Sequence, residues 1–126
     1  MKLKNTFSNM KASIEKEDMR DVVYGLQCKD PTCQKNRYVG QTRRRVGIRT
    51  DEHSKDYENR QKPGGKTAII RHALEMENEH KREHKIEFSI DKVLILDREP
   101  DKFKREFIES TYIRMIGDRA NNFRYK

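Results

Sequence analysis

The chain has 126 residues, the length of a single domain, with 29 Lys and Arg against 21 Asp and Glu, a formal charge of +8. Charged residues make up 40% and apolar ones 33%; no run approaches the roughly 18 apolar residues of a membrane span, and Met1-Lys2-Leu3-Lys4 is not followed by the apolar stretch of a secretory signal. Excess positive charge points to a polyanionic partner, and the thin core such a composition allows calls for a staple such as a metal.

In chain order, residues 1–20 read as a polar, Lys-rich arm or linker, in which Leu3, Phe7, Met10 and Ile14 recur at the spacing of a short amphipathic helix. The domain proper is expected over 21–126. Val22, Val23, Tyr24 and Leu26 predict a strand over Asp21–Gln27, and Arg37–Gln41 a second. The turn-rich segment between them is too short for a crossover, so the two are expected to be antiparallel. Thr42 is the expected cap of a helix running to about Asn59, and Pro63-Gly64-Gly65 marks a loop. Thr67 or Lys66 opens a second helix with Ile69, Ile70, Ala73, Leu74 and Met76 as its stripe. Ile86–Ile90 continued by Val93–Leu96 predicts the most buried strand. Pro100 introduces a last helix, in which Phe103, Phe107, Ile108, Thr111, Tyr112, Met115 and Ile116 recur up to Gly117. The expected fold is α/β (α+β), in the order β-β-α-α-β-α, a small three-stranded mixed or antiparallel sheet flanked by helices.

Two cysteines without a secretory signal suggest a nuclear or otherwise intracellular protein, not a secreted one, and no disulfide framework. Cys28-x4-Cys33 and downstream imidazoles can make a tetrahedral zinc site, for which His72, His80 and His84 compete.

Tyrosine elements bracket the predicted hairpin: Val22-Val23-Tyr24, then Tyr38-Val39-Gly40-Gln41-Thr42. Arg49 and His53 follow, one helical turn apart. Glu109 lies on the last helix, and Asn121-Asn122 come after it. In this order the motifs, over roughly residues 21–123, resemble the GIY-YIG endonuclease domain, with Val22 where that family has Gly. The branch of Penelope-like retroelements, with two cysteines between the motifs and two histidines downstream, is the most similar. The resemblance implies a metal-dependent DNA endonuclease whose nick leaves a 3′-hydroxyl to prime reverse transcription, with a reverse transcriptase domain in a longer parent chain. It implies that Glu109 holds catalytic Mg²⁺ or Mn²⁺ and that Arg49 binds the phosphate. Tyr24 would deprotonate or orient the attacking water, supported by Tyr38 and His53, with Asn121 or Asn122 as the family's asparagine. It further implies structural Zn²⁺ on Cys28, Cys33, His72 and His84, with His80 in reserve.

Lys35, Arg37, Arg43, Arg44 and Arg45 are the candidate nucleic-acid contacts, expected to grip phosphates without base readout. The alternatives are a non-catalytic, zinc-stabilised nucleic-acid-binding module and a zinc-stabilised protein-interaction domain; no membrane partner is expected.

Overall fold

Strand β1 (Val22–Cys28) is buried at every residue but Gln27, because it runs through the middle of the sheet. The structure, a computed structural model, describes residues 14–30, 33 and 37–116, without the side chains of Arg37 and Ile116. β2 (Arg37–Thr42) pairs with β1 along its whole length, from Val22↔Thr42 to Gln27↔Arg37. On the other side of β1, β3 (Ile86–Glu87) lies against Gln27 and Cys28, and β4 (Leu94–Arg98) against Val22–Gly25, with a register shift at Val23/Tyr24. Among the described residues the sheet is thus four-stranded, not three-stranded as expected, and antiparallel throughout.

The single strand expected across residues 86–96 is two strands. Lys92 N and Val93 N both donate to the Ser89 carbonyl, at 2.9 and 3.1 Å, and this turn breaks the ladder. Nor is that stretch the most buried: β4 lies beyond β1 and is half-buried to exposed, while β1 is enclosed.

Among the described residues three α-helices cover the sheet: α1 (Val46–Glu58), α2 (Ala68–His80) and α3 (Lys102–Ile116). Thr42 does not cap α1. It closes β2, and its hydroxyl accepts from Arg44 N at 3.1 Å, which turns the chain through Arg43–Arg44 before the helix begins. α2 starts after Thr67 as expected, with Ile69, Ile70 and Ala73 buried. At α3, the Asp101 carboxylate accepts from Lys104 N at 2.9 Å, an N-cap bond. The predicted apolar stripe of α3 divides between two faces. Ile113, with Ile108 and Tyr112, packs on Val23 and Val39, while Phe103, Phe107 and Met115 are 80%, 72% and 75% exposed.

Successive β1 residues point to opposite faces, so Val23 meets α3 while Val22, Tyr24 and Leu26 pack with Val46 of α1 and Val93. A third cluster, Cys28, Cys33, Ile69, Ile70, Ala73 and Ile86, lies under α2. Residues 15–19 rest on the start of α1: Val46 N donates to the Met19 carbonyl at 2.8 Å, and a Cβ on Gly47 would come within 2.9 Å of the Glu17 carbonyl. Leu3, Phe7 and Met10 lie outside the described residues. Among the described residues no helix is long and apolar enough to cross a membrane.

Candidate active site and metal centre

Four elements bring Tyr24, Tyr38, Arg49, His53 and Glu109 together. The Tyr24 hydroxyl lies 2.8 Å from His53 Nε2, and both residues have no exposed surface. The Tyr38 ring stands edge-on to His53 at 5.5 Å and lies 6.5 Å from that of Tyr24. Arg49 acts on the Tyr24 hydroxyl through its positive charge and as a hydrogen-bond donor, the only role a guanidinium can take. Burial pushes the Tyr24 phenol far up; its neighbour Tyr38 and the Glu109 carboxylate push the same way, and Arg49 opposes them. Tyr38 is likewise raised, first by burial and then by Glu109, against Arg49. Glu109, half-buried on α3, therefore faces both tyrosines electrostatically. Because Tyr24 is enclosed and Tyr38 partly exposed, Tyr38 is the tyrosine that can meet a solvent water.

Burial, reinforced by the charge of Arg49, pushes the His53 imidazole down to about 4. In the unfolded chain the group protonates near 6.5. Between those values the unfolded state binds more protons, so stability falls as pH drops from about 6.5 to 4, by on the order of 3 kcal/mol for this group. An NMR titration of the His53 ring should give a midpoint near 4; one near 6.5 would contradict its enclosure.

Gly40 makes the close approach possible. A Cβ there would lie 2.7 Å from the Tyr24 hydroxyl oxygen and 3.0 Å from Tyr38 Cε2. Gly40→Ala should therefore cost about 1–3 kcal/mol of stability, read by denaturant unfolding, and break the Tyr24–His53 bond. An unchanged midpoint would show that the tyrosines are not held as described.

Arg105, only 3% exposed, ties α3 to the sheet. It donates to Gln41 Oε1 at 2.7 Å and to the carbonyls of Glu99 and Pro100 at 2.9 and 3.2 Å, and lies 3.4 Å from an Asp21 carboxylate oxygen. Glu109 sits one helical turn further on, so this buried guanidinium sets its position.

Cys28, Cys33, His72 and His84 are all buried, with one potential ligand atom from each lying within 4.8 Å of the others, close enough to bind a metal ion. No other group of three or more such ligands occurs among the described residues. The donor set fits. His84 Nδ1 lies 3.5 Å from Asp30 Oδ2, and its Nε2 is buried with no hydrogen-bond partner, a nitrogen left over for coordination. Burial depresses His84, keeping it in the neutral, ligating form. Burial, with Cys33 beside it, pushes the Cys28 thiol up to about 12, a position only a nearby cation would reverse. The His84 backbone is pinned as well: its carbonyl accepts from the Tyr57 hydroxyl at 2.7 Å and its N donates to Glu77 at 3.2 Å. Glu77 in turn holds Arg60 at 2.8 and 2.9 Å. His80 is exposed at the end of α2 and takes no part.

Of the nucleic-acid candidates, Arg43, Arg44 and Arg45 are exposed around the turn after β2. Arg45 pairs with Asp18 at 3.3 Å and Arg44 with Glu52 at 2.6 Å. Arg37 opens β2. Lys35, Asn121 and Asn122 lie outside the described residues. Sequence reasoning missed Asp30, Glu52 and Arg105. Glu52 had a signal, three residues after Arg49 and so on its face of the helix; Arg105 had none, since its partner Gln41 is 64 positions away. Comparison with protein-family profiles, curated proteins and solved structures gave no match.

Proposed function

We propose that the chain is a metal-dependent DNA endonuclease of the GIY-YIG type, most similar to that of Penelope-like retroelements. The observation that carries this reading is the convergence of Tyr24, Tyr38, Arg49, His53 and Glu109 from four separate elements. Tyr38, on the open side, orients the attacking water. Tyr24 and neutral His53 stand behind it as a hydrogen-bonded pair that can take up a proton, and Arg49 offers its planar fork to the phosphate. Glu109 would hold Mg²⁺ or Mn²⁺, for which one carboxylate with water and phosphate oxygens is an ordinary ligand set; the ion would relieve charge on the phosphate and the leaving oxygen. Cys28, Cys33, His72 and His84 would hold Zn²⁺ as a structural ion, since two thiolates and two imidazoles with no open position suit a closed tetrahedral site.

By the same resemblance, the nick leaves a 3′-hydroxyl that primes reverse transcription by a polymerase domain in a longer parent chain. Plasmid nicked by the protein should therefore be extended by a DNA polymerase without end repair. Ends that need phosphatase treatment first would rule out that use. A second reading, a binding module that keeps the fold without cutting, is favoured by one observation: the complete enclosure of Tyr24.

A further inference from the structure

Between the end of β2 and the first turn of α3 opens a basin of about 350 Å³, which shares Arg49 with the tyrosine cluster. Its lining includes Gln41, Arg43, Arg44, Arg49, Lys102 and Arg105, five of them cationic and drawn from three parts of the fold. Arg105 is already engaged by its hydrogen bonds to Gln41 and the 99–100 backbone. Arg44 and Arg49 share a single counter-ion: Glu52 Oε1 lies 2.6 Å from one guanidinium and 3.1 Å from the other. One oxygen bridging two guanidinium groups is how a phosphate oxygen would sit there. All three side chains are partly exposed, so the bridge is weak and exchangeable.

We infer that Glu52 is a place-holder for a phosphate: the basin is a second phosphodiester subsite, and a DNA backbone phosphate next to the one being cut displaces Glu52 from Arg44 and Arg49. The inference rests on the nuclease reading for the source of the phosphate but not for the chemistry of the basin. Arg43 and Lys102 carry no ion pair that would compete for the incoming anion among the described residues, apart from the solvent-exposed 3.9 Å contact of Lys102 with Glu106. The hydrogen bond from Arg44 holds the Glu52 carboxyl below the ordinary range, so the place-holder is ionised at neutral pH.

The test compares Glu52→Gln with Asp51→Asn, which removes the same charge one residue away, on the side of α1 that faces Glu17, Asp18 and Arg45. Duplex binding is measured by fluorescence anisotropy over a salt series without divalent metal. Glu52→Gln should tighten binding about 3- to 10-fold and steepen the dependence of log K on log salt by about 0.9, while Asp51→Asn changes affinity less than about 2-fold. Lys102→Gln should weaken binding by about 3-fold or more. Equal effects of Glu52→Gln and Asp51→Asn, or weaker binding by Glu52→Gln, overturn the inference. Inorganic phosphate, titrated against the arginine side-chain resonances, separates it from the nuclease reading. Phosphate that shifts Arg44 and Arg49, more strongly in Glu52→Gln, supports the subsite even if the protein never nicks DNA. Nicking by a protein in which phosphate moves neither resonance overturns the subsite alone.

Discussion

Replacing Arg49 with alanine should lower the rate of supercoiled-plasmid nicking by about 10²- to 10³-fold, with duplex binding reduced only a few-fold. The disparity follows from where Arg49 sits. It is the cation that offsets Glu109 at both tyrosines, so its loss leaves the enclosed Tyr24 and the partly exposed Tyr38 facing a carboxylate with that balance removed. Binding draws instead on Arg43, Arg44 and Lys102 as well, each able to meet a phosphate alone. Arg49→Lys should recover only part of the rate, because an ammonium keeps the charge but loses the fork that can hold phosphate and tyrosine together. Initial nicking rates, with circular dichroism to confirm folding, check this; a variant that nicks within about 3-fold of the wild-type rate would remove Arg49 from the chemistry.

Loss of the metal centre should have the largest effect on stability. Cys28→Ser, or chelation of the intact protein, should unfold the domain at ordinary temperatures. A structural zinc contributes on the order of 10 kcal/mol, comparable with the whole ~5–15 kcal/mol that a domain retains. The fold explains the dependence: Cys28 ends β1, Cys33 lies in the loop after it, His72 is on α2 and His84 leads into β3, so one ion held by these four would join four segments. Around them the apolar cluster has only Ile69, Ile70, Ala73 and Ile86 fully buried besides the cysteines. His80→Ala should leave stability unchanged, since that ring is exposed. Thermal unfolding and metal content per chain decide it; chelator-free protein with no zinc, or a Cys28→Ser midpoint equal to that of the wild type, would remove the centre.

Much of this arrangement was legible because its signals are local. β1 and β2 are short apolar runs either side of a turn-rich segment, and α2 carries a clean buried stripe between Thr67 and its left-handed end at Lys81. The split between β3 and β4 was not legible: no glycine or proline marks residues 89–92, and only the hydrogen bonds to the Ser89 carbonyl reveal the turn. In α3, periodicity misled, because Phe103 and Phe107 point outward while a charged residue, Arg105, is buried by partners distant in sequence. The candidate metal ligands show the same limit. By spacing alone three histidines fitted beside the two cysteines; the resemblance selected His72 and His84 with His80 in reserve, and the path of the chain past α2 brings those two together and leaves His80 outside. Glu52 and Asp30 act through residues already singled out, and a carboxylate in a chain with 21 of them does not stand out by type alone.

The most direct test of the central claim is a supercoiled-plasmid nicking assay with Mg²⁺ or Mn²⁺, comparing the wild-type protein with Glu109→Gln at equal DNA occupancy. The geometry of Tyr24, Tyr38, Arg49, His53 and Glu109 predicts open-circular product from the wild type and a loss of about 10²-fold or more in the variant, without loss of binding. A wild-type protein that binds the plasmid and leaves it supercoiled with either metal, or equal nicking by both proteins, would contradict the account.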